Sequence, residues 1–491
     1  MKPATNVFQH RIAALLCAFA FATATCRFPG ARPPPPNVVV VLVDDLGWRD
    51  IGAYGQEIAR TPRIDALARE GMRFDQAYAA SPVCSPTRAA LLTGKYPARV
   101  NINDWIPGTR SPNQPLAAPV DLDHLPLEHV TTAEVLASRG YATFHVGKWH
   151  LGGQGFLPED QGFDVNLMGR DIGHPASHFH PYGAEGDGKP AASHAVRPLS
   201  PESKPGEYLA DRQVLDALKL VRGAVEARQP FYLYLPFYTV HAPIEAKPED
   251  VARHRELRAT RIAAAPSDQR AALEQALPRP AYLAMLENMD TAVGALLDGL
   301  RELGVEGDTL VVFTSDNGGL SAVTDNRPLH GGKRSLWEGG IRVPLIVRWP
   351  GVVAPGSSCE EPVISQDVHA TLCDVVGAPL DTDGSEDSRS LRPMLDGSTA
   401  TLTREALFWH FPQYEIGETP PRGAIRRGHW KLLENFADDS TLLFDLRRDP
   451  GEARDLSAER PELARELLAK LRAWRSGVGA AMPTLREPAG R

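Results

Sequence analysis

The run Asn-Val-Val-Val-Val-Leu-Val at Asn37–Val43 constrains the fold more than any other stretch of this sequence. A continuous run of β-branched residues predicts a strand buried on both faces, as strands are in a parallel sheet. Similar apolar runs at Phe231–Leu235 and Thr309–Thr314 each follow a helical pattern. Helices that alternate with such strands predict an α/β fold, in which helices sandwich a large, mostly parallel sheet.

Local signals give approximate bounds to further elements. Thr131 and Glu134 form a capping box for a helix that ends at Gly140. The remaining predictions for this part of the chain are helices at 62–71, 207–228 and 282–303, a charged helical insertion over 250–279, and strands at 141–146 and 341–349.

The pattern changes after about Leu380. Polar turns separate short apolar runs there, which predicts a smaller antiparallel sheet with a closing helix. The predicted strands and the helix lie at 424–430, 431–436, 441–446 and 459–474. We therefore expect a main domain over 37–380 and a C-terminal α+β subdomain over 381–491.

The N-terminal residues have the features of an export signal. The uncharged run Ile12–Ala24 follows two basic residues and is too short to span a bilayer, which predicts a signal peptide over 1–24. A proline-rich linker follows over 25–36. We expect a periplasmic or secreted protein without an integral membrane span. A lipoprotein anchor at Cys26 is the less favoured alternative.

Charge and cysteine content exclude some classes of function. The formal net charge of −8 argues against a protein that coats nucleic acid or an anionic membrane. An anionic substrate must therefore meet a local positive pocket. Five cysteines in an exported chain of this length do not make a disulfide scaffold, and we expect Cys359 and Cys373 to be unpaired.

Polar residues follow four of the predicted strands directly. Ligands of open α/β sheets bind outside the carboxyl ends of the strands, so these side chains are expected to meet at one edge. They are Asp44 and Asp45 after the first strand, Lys148 and His150 after the strand at 141–146, His241 after the strand at 231–235, and Asp316 and Asn317 after the strand at 309–314.

The oxygen donors of this group predict a metal site. Three carboxylates, Asp44, Asp45 and Asp316, repel one another unless a cation lies among them, and Asn317 adds an amide oxygen. Calcium accepts flexible sets of about 6–8 oxygen ligands. Zinc is disfavoured because no cysteine or histidine cluster accompanies this set. The alternative is that Asp-Asp-Leu-Gly is an ordinary turn.

The segment Ser-Pro-Val-Cys-Ser-Pro-Thr-Arg places Cys84 ahead of a short helix. We expect Ser85 to cap this helix and Gly94 to end it, so that Cys84 and Arg88 lie at the positive end of the helix dipole. A thiolate would be activated there. The chain lacks a cysteine phosphatase signature, because position 90, where that signature needs arginine, is alanine.

The pattern Cys-x-Pro-x-Arg followed by Ala-Ala-Leu-Leu-Thr-Gly-Lys-Tyr-Pro resembles the type I sulfatases of the alkaline phosphatase superfamily. The resemblance runs from Val-Val-Val-Leu-Val-Asp-Asp-Leu-Gly-Trp to Phe-Asp-Leu-Arg-Arg-Asp-Pro-Gly-Glu-Ala-Arg-Asp-Leu, nearly the whole chain. It implies that a formylglycine-generating enzyme oxidises Cys84 to formylglycine. Of the two hydroxyls of the hydrated aldehyde, one attacks sulfur and the other expels sulfate as the aldehyde reforms.

The resemblance also assigns the metal site. It implies one Ca²⁺ per chain, which lowers the pKa of the nucleophile and polarises the sulfate. Asp316 is in addition the expected base for the attacking hydroxyl. The implied ligands are Asp44, Asp45, Asp316 and Asn317, with the modified residue 84 completing the shell.

Further roles follow from the same resemblance. Arg88 holds the hydrated nucleophile, and Lys148, His241 and Lys333 bind the sulfate and the leaving oxygen. His241, alone or with Lys333, is the expected general acid. His150 takes a proton from the nucleophile when sulfate leaves.

The loop at 168–188, rich in glycine, proline and histidine, is a candidate specificity element. Zinc binding by His174, His178 and His180 and a plain loop are the alternatives. The stretches Asn-Ile-Asn-Asp-Trp-Ile-Pro-Gly and Phe-Tyr-Thr-Val-His-Ala-Pro-Ile-Glu-Ala-Lys resemble bacterial polysaccharide sulfatases, some of which act on 4-sulfated galactose or N-acetylgalactosamine. The resulting candidates for binding a sulfated carbohydrate are Asp104, Trp105, Arg170, Asp171 and His174.

Two other functions stay open at this point. A phosphate or phosphonate monoester hydrolase could use the same fold and the same metal ligands. A non-catalytic protein that binds sulfated glycans would result if Cys84 stayed unmodified.

Overall fold

The structure is a computed structural model that describes most of the chain beyond the N-terminal segment. The predicted signal peptide, Cys26 and all but the last two residues of the predicted linker lie outside the described residues. The segment Pro36–Arg491 forms one compact unit. Within the described part, no helix is both long and apolar enough to cross a membrane. The described residues are 35–108, 113–184, 191–380, 386–415 and 420–486.

Fifteen strands lie in the described ranges. They are β1 Asn37–Val43, β2 Met72–Tyr78, β3 Leu116–Ala117, β4 Ala142–Val146, β5 Val165–Leu167, β6 Phe231–Pro236, β7 Thr309–Ser315, β8 Arg342–Arg348, β9 Ser357–Cys359, β10 Val363–Ile364, β11 Leu407–Phe411, β12 Arg422–Arg427, β13 Trp430–Asn435, β14 Thr441–Asp445 and β15 Thr484–Leu485.

Twelve α-helices accompany these strands in the same ranges. They are α1 Pro62–Glu70, α2 Cys84–Thr93, α3 Pro97–Val100, α4 Thr132–Ala137, α5 Leu209–Glu226, α6 Pro248–Ala264, α7 Arg270–Ala276, α8 Pro280–Glu302, α9 Glu338–Ile341, α10 Gln366–Val375, α11 Arg392–Leu395 and α12 Pro461–Gly477.

The large sheet has nine strands in the order β10-β2-β8-β7-β1-β6-β4-β5, with β9 also paired to β2. The strand β8 runs antiparallel to β7 and β2, and the other pairings in this sheet are parallel. The first strand lies near the centre, with Val40 opposite Tyr234 on one side and Val312 on the other. The predicted α/β architecture with a mostly parallel sheet is therefore confirmed.

The residues of β1 face two separate apolar layers in alternation. Val39, Val41 and Val43 pack in a cluster with residues of α1, α5 and α8. Val38, Val40 and Leu42 pack in a second cluster with residues of α2, α4 and α10. Each buried side chain of this size contributes about 1.5–3 kcal/mol. Burial on both faces explains why this strand is apolar at six successive positions.

The C-terminal part forms a separate antiparallel sheet in the order β11-β12-β13-β14. One face packs on α12, where Ile425 and Leu432 contact the cluster of Leu467 and Leu471. The other face packs toward the large sheet, and Trp409 donates a hydrogen bond through Nε1 to the Ala79 carbonyl. This confirms the smaller antiparallel sheet with its helix, while the domain boundary near residue 380 stays a prediction.

Most local predictions agree with the structure. The capping box of Thr131 and Glu134 is present, although the helix ends at Ala137. The insertion over 250–279 contains the helices α6 and α7. Cys359 and Cys373 are buried free thiols.

The prediction of Ser85 as an N-cap is wrong. Helix α2 begins at Cys84, and Val83 occupies the cap position without a side-chain bond. Ser85 is fully buried, and its hydroxyl accepts a hydrogen bond from the Ile106 amide. The serine thus holds the segment that carries Trp105 against the start of the helix instead of capping it. Gly94 ends the helix in the left-handed region, as expected.

Candidate active site

Backbone hydrogen bonds join the loops that follow four neighbouring strands. Because these strands are parallel, their carboxyl ends lie at one edge of the sheet. The bonds run from the Asp44 amide to the Thr239 carbonyl at 3.0 Å, from the Val240 amide to the Asp44 carbonyl at 2.8 Å, from the Asp316 amide to the Val43 carbonyl at 3.2 Å, and from the Lys148 amide to the Pro236 carbonyl at 2.9 Å.

Cys84 faces this edge from the start of α2. Its Sγ lies 3.6 Å from Asp44 Oδ1 and 3.7 Å from Lys333 Nζ, and its side chain is almost fully buried. Lys333 reaches the site from a loop after β7, where the neighbouring Arg334 amide donates to the Pro82 carbonyl. The loop of Lys333 and the segment before Cys84 therefore hold each other in place.

Each buried carboxylate at this edge contacts a different cation. Lys148 Nζ lies 2.7 Å from Asp44 Oδ2. Lys333 Nζ lies 2.5 Å from Asp45 Oδ1. Arg88 donates through Nε and Nη2 to Asp316 Oδ2 at 3.0 and 2.7 Å. The structure thus brings together the three acids and three of the bases that the sequence placed in the site.

Two of these carboxyl groups, Asp44 and Asp45, have pKa values shifted in opposite directions. Burial, together with the charge of Asp316, raises the pKa of Asp44 to about 8. Burial also acts to raise the pKa of Asp45, but the charges of Lys333 and His241 bring it below its usual range. When one carboxyl group of a cluster resists ionisation, an additional cation would stabilise its ionised form.

The Cys84 thiol is neutral in these surroundings. Burial raises its pKa to about 12, although Lys148 and Lys333 act in the opposite direction. A thiol in this state is a weak nucleophile. The surroundings therefore do not favour the expected thiolate, because burial outweighs the effect of the neighbouring cations on the pKa of Cys84.

Asn317 supplies a test of whether the site suits a cation. Its Nδ2 donates to Asp45 Oδ1 at 2.9 Å and to the Gly318 carbonyl at 3.0 Å. Its Oδ1 is buried and has no hydrogen-bond partner among the described residues. A buried amide oxygen beside three carboxylates is the donor chemistry of a calcium site. The residues present therefore fit a hard divalent cation.

A second observation points to the same place. Within the described ranges, one set of acidic, cysteine or histidine groups has all its ligand atoms within 4.8 Å of one another, and it consists of Asp44, Asp45, Cys84 and His241. The loop histidines His178 and His180 do not belong to this set. The alternative of zinc binding by the loop at 168–188 is thus without support from the described residues.

His150 is held in one tautomer. Its Nε2 lies 2.6 Å from the Ile106 carbonyl and must donate a proton to it, so Nδ1 is the acceptor nitrogen. This Nδ1 is buried and makes no hydrogen bond with the described residues. Burial, with the charge of Lys148, holds the pKa of His150 well below its ordinary value. His150 is therefore a neutral ring with a proton acceptor available.

His174 links two other histidine rings by stacking. Its ring lies parallel to His241 with centroids 5.6 Å apart, and it also stacks with His194 at 4.2 Å. His241 Nε2 lies 3.6 Å from Asp45 Oδ2. His178 Nε2 binds the His241 carbonyl at 2.9 Å. Two residues of this loop, His174 and His178, thus contact His241 at one side of the site, and the role of the loop in specificity stays a prediction.

The other candidate residues lie on segments that contact His150. Asp104 accepts the Trp105 amide at 2.8 Å, immediately before the Ile106 carbonyl that binds the His150 ring. The Arg170 carbonyl accepts the His150 amide at 3.1 Å, and the Arg170 side chain lies 3.3 Å from Asp171 Oδ1. These candidates therefore lie on, or next to, the two segments that hold His150.

Two sets of contacts in the site were not predicted from the sequence. Asp50 accepts bonds from the Gly47 amide, Tyr282 and Thr324, and so holds the loop after Asp45. His194 completes the histidine stack. Asp50 follows the Asp-Asp-Leu-Gly motif closely in sequence, which is a usable signal, whereas nothing local marks His194.

Comparison with known proteins gives concordant matches. A family model described as Sulfatase matches residues 36–378, and another described as N-sulphoglucosamine sulphohydrolase, C-terminal, matches residues 330–476. Arylsulfatase A of Homo sapiens is 32% identical, and the match covers 90% of this chain and 86% of the relative.

Two further matches are with a protein named for a sugar and with a structure that contains an oligosaccharide. N-acetylgalactosamine-6-sulfatase of Sus scrofa is 32% identical over 87% of this chain and 82% of its own length. The solved structure of Ps i-CgsB in complex with k-i-k-neocarrahexaose superposes with a TM-score of 0.74 at 28% identity. That superposition covers 90% of this chain and 92% of the other.

Proposed function

The chain belongs to the sulfatase family, whose members are sulfuric ester hydrolases, and we propose that it releases sulfate from a sulfated carbohydrate with a formylglycine made from Cys84 and with Ca²⁺. One observation carries the proposal. The Cys84 sulfur lies between Asp44 Oδ1 and Lys333 Nζ, at the edge where three buried carboxylates and three buried cations converge.

The modification accounts for a feature that an ordinary cysteine enzyme leaves unexplained. With a pKa raised to about 12 by burial, the Cys84 thiol has little nucleophilic thiolate at neutral pH. Conversion of this side chain to an aldehyde, which hydrates, supplies an oxygen nucleophile in its place. Pro86 and Arg88, two and four positions after Cys84, belong to the motif on which this conversion depends in the family.

Cations of the chain bind the sulfate group. Lys148 and Lys333 lie on either side of the Asp44–Cys84 contact, and both are buried. Burial acts against the charge of Lys333, but Asp45 keeps its pKa raised, so that it stays an ammonium ion. Preorganised donors in a water-poor site stabilise charge that develops in a transition state. We assign to Lys333, beside His241, the stabilisation of the leaving oxygen.

Arg88 positions the groups around the nucleophile. It donates twice to Asp316 and once, through Nη1, to the Lys148 carbonyl at 2.9 Å. Asp316 in turn accepts the Asp45 amide at 3.1 Å. This chain of contacts holds Asp316, the expected base, and the loop of Lys148 in fixed positions. We infer that Arg88 orients the site and offsets its negative charge.

His150 is the proton acceptor that release of sulfate requires. Its Nδ1 is buried, unprotonated and without a partner among the described residues, while the Ile106 carbonyl fixes the opposite nitrogen. A positioned base of this kind contributes about 10²–10⁴-fold to a rate. Nothing else in the hydrogen bonding of His150 competes for that nitrogen.

A calcium ion would supply charge stabilisation for the sulfate oxygens and for the ionised nucleophile. The side chains proposed to hold it are Asp44, Asp45, Asp316 and Asn317, with residue 84. The unpartnered Asn317 Oδ1 supports this set.

The relatives favour a carbohydrate as the molecule that carries the ester. N-acetylgalactosamine-6-sulfatase is named for a sugar, and the Ps i-CgsB structure holds k-i-k-neocarrahexaose. In this chain, Trp105 and Arg170 lie on segments that hydrogen-bond His150, and His174 stacks on His241. These three residues and Asp171 are the proposed contacts of the sugar ring. The 4-position of galactose or N-acetylgalactosamine stays the predicted site of the sulfate.

The first experiment is mass spectrometry of the tryptic peptide Phe74–Arg88 from protein made in its native host. An aldehyde at residue 84, together with sulfate release from 4-nitrophenyl sulfate, is the expected result. Wholly unmodified cysteine would contradict the formylglycine proposal and favour a glycan-binding role. A higher kcat/KM for the matched phosphate ester than for the sulfate would favour the phosphate or phosphonate hydrolase.

A further inference from the structure

A cleft lies against α5, and none of its lining residues belongs to the candidate active site. Its volume is about 820 Å³. One side comes from the segment before the helix, including Ser203 and Lys204, and the other from the helix itself. Leu215, half exposed, and Leu218 provide an apolar strip on the helix side. The cleft is large enough for a sugar unit and has both polar and apolar walls.

The charges in the cleft are unbalanced in favour of cations. Its two acids are already paired, Glu202 with Lys219 and Glu207 with Arg212. Two exposed bases, Lys204 and Arg222, form no ion pair with any residue in the described ranges. In a chain whose net charge is −8, an unpaired pair of cations beside a cavity attracts an anion.

Two lining residues of the cleft have buried polar atoms without a hydrogen-bond partner among the described residues. Arg212 is only 4% exposed, and its Nε has no hydrogen-bond acceptor among the described residues. The Ser203 hydroxyl, also on the lining, is likewise buried and unpartnered within them. Buried donors without acceptors cost free energy, so an oxyanion that accepts from them would relieve this cost.

The cleft is connected to the catalytic edge through the loop at 168–184. The His180 amide donates to the Glu207 carbonyl at 2.9 Å, and the Leu209 amide to the His178 carbonyl at 2.8 Å. The ring of the same His178 binds the His241 carbonyl. The segment that lines the cleft and the segment of His241 are therefore both held by this loop.

We propose that this cleft binds a second sulfate group of the substrate, on a sugar unit other than the one at Cys84. The inference rests on the proposed carbohydrate sulfatase function and extends it. Lys204 and Arg222 attract the sulfate, Arg212 and Ser203 donate to its oxygens, and Leu215 contacts the sugar face. The chain thus recognises the sulfation pattern of a polymer as well as the ester it cleaves.

The test compares a short and a long substrate. The kcat/KM values for 4-nitrophenyl sulfate and for a sulfated galactan hexasaccharide are measured with the parent enzyme, with Lys204→Ala/Arg222→Ala, and with Arg465→Ala. Arg465 is an exposed arginine of α12 without an ion pair in the described ranges, and serves as the control. Loss of two exposed charge contacts is expected to lower the hexasaccharide-to-aryl ratio about five- to tenfold, with no change for Arg465→Ala.

Equilibrium binding separates this inference from the proposed function. Calorimetry with the hexasaccharide, in its sulfated and desulfated forms, is performed on the same three proteins. The proposal for the cleft is supported if the double variant binds the sulfated form more weakly than the parent does and binds the desulfated form equally well. This result would stand even if no protein cleaves either substrate and the sulfatase proposal fails. An unchanged ratio and affinity, or equal losses for the desulfated form, would overturn it.

Discussion

Lys148 Nζ lies 2.7 Å from Asp44 Oδ2, and neither side chain is exposed. The pair joins the carboxyl ends of β4 and β1, which β6 separates in the sheet. Asp44 Oδ1, the other oxygen of the same carboxylate, lies 3.6 Å from Cys84 Sγ. The lysine therefore holds the carboxylate that contacts the proposed nucleophile, and the same ion pair joins two strand ends of the sheet.

Replacement of Lys148 by methionine is expected to damage both stability and activity. The change leaves the buried Asp44 carboxyl, whose pKa burial already raises, without its lysine partner, which typically costs about 1–3 kcal/mol. Urea unfolding measures the loss of stability. The loss of activity is measured as kcat/KM for 4-nitrophenyl sulfate, which is expected to fall at least about 100-fold.

The matched control for this prediction is Lys470→Met. Lys470 pairs with Glu405 on the surface, where side-chain exposures are 33% and 66%. Pairs of this kind contribute at most about 1 kcal/mol. Equal losses of stability in the two variants would show that the Lys148 pair has no special role in the sheet edge.

Removal of calcium is expected to abolish activity and to lower the thermal stability. A ligand that binds only the native state and is present at 100 times its Kd stabilises that state by about 2.7 kcal/mol. Added Ca²⁺ should therefore raise the Tm of chelator-treated protein. Asn317→Ala removes the amide oxygen proposed to bind Ca²⁺, which has no hydrogen-bond partner among the described residues, and should therefore reduce this rise in Tm. Asn435→Ala, in β13, is the control that should keep it. An identical Tm rise in both variants would remove Asn317 from the ligand set.

The strand ends were predictable because parallel strands leave little freedom at that edge. Asp44, Lys148 and Asp316 each follow a buried apolar run directly, so locating the strands located these side chains. The sequence gives no angle or distance, but the topology alone makes the groups meet. This is why residues more than 200 positions apart can be assigned to one site from the sequence alone.

Other features depend on tertiary contacts that no local pattern announces. Strand β2, Met-Arg-Phe-Asp-Gln-Ala-Tyr, alternates charged and apolar residues and resembles a surface segment, yet it pairs with β8 inside the sheet. Ser85 has the sequence context of a cap, but its hydroxyl binds the Ile106 amide. The stack of His174 on His241 forms only because the loop folds back over the site.

His150→Ala is expected to lower kcat about 10²–10⁴-fold with a smaller change in KM. The variant removes the acceptor Nδ1 that the Ile106 carbonyl orients through the other ring nitrogen. His150→Gln, which places a hydrogen-bonding group in the same volume without a basic nitrogen, should be similarly impaired. His124→Ala, at a partly exposed histidine paired with Asp123, is the control. Recovery of most activity in the glutamine variant would reduce His150 to a structural role.

A buried cluster at the start of α9 predicts a dependence of stability on pH. Lys431 Nζ lies 2.9 Å from Glu338 Oε1 and 2.8 Å from Glu452 Oε1, so that two carboxylates share one ammonium ion. Glu452 also accepts the Glu338 amide at 2.7 Å, at the first residue of α9. Burial, with the charge of Glu338, raises the pKa of Glu452 from 4.5 to about 7.

The folded protein therefore binds a proton at Glu452 more tightly than the unfolded chain does. The stability from this group is fully present below about pH 4.5 and is lost as the pH rises through about 7. Glu452→Gln cannot titrate, so the free energy of unfolding of the parent should fall by about 1–3 kcal/mol relative to this variant between pH 5 and pH 8. Denaturant unfolding across that range measures the difference. Glu466→Gln, at an exposed glutamate paired with Arg427, should show a nearly flat difference. A flat or rising difference for Glu452→Gln would mean that Glu452 is already ionised when the protein folds.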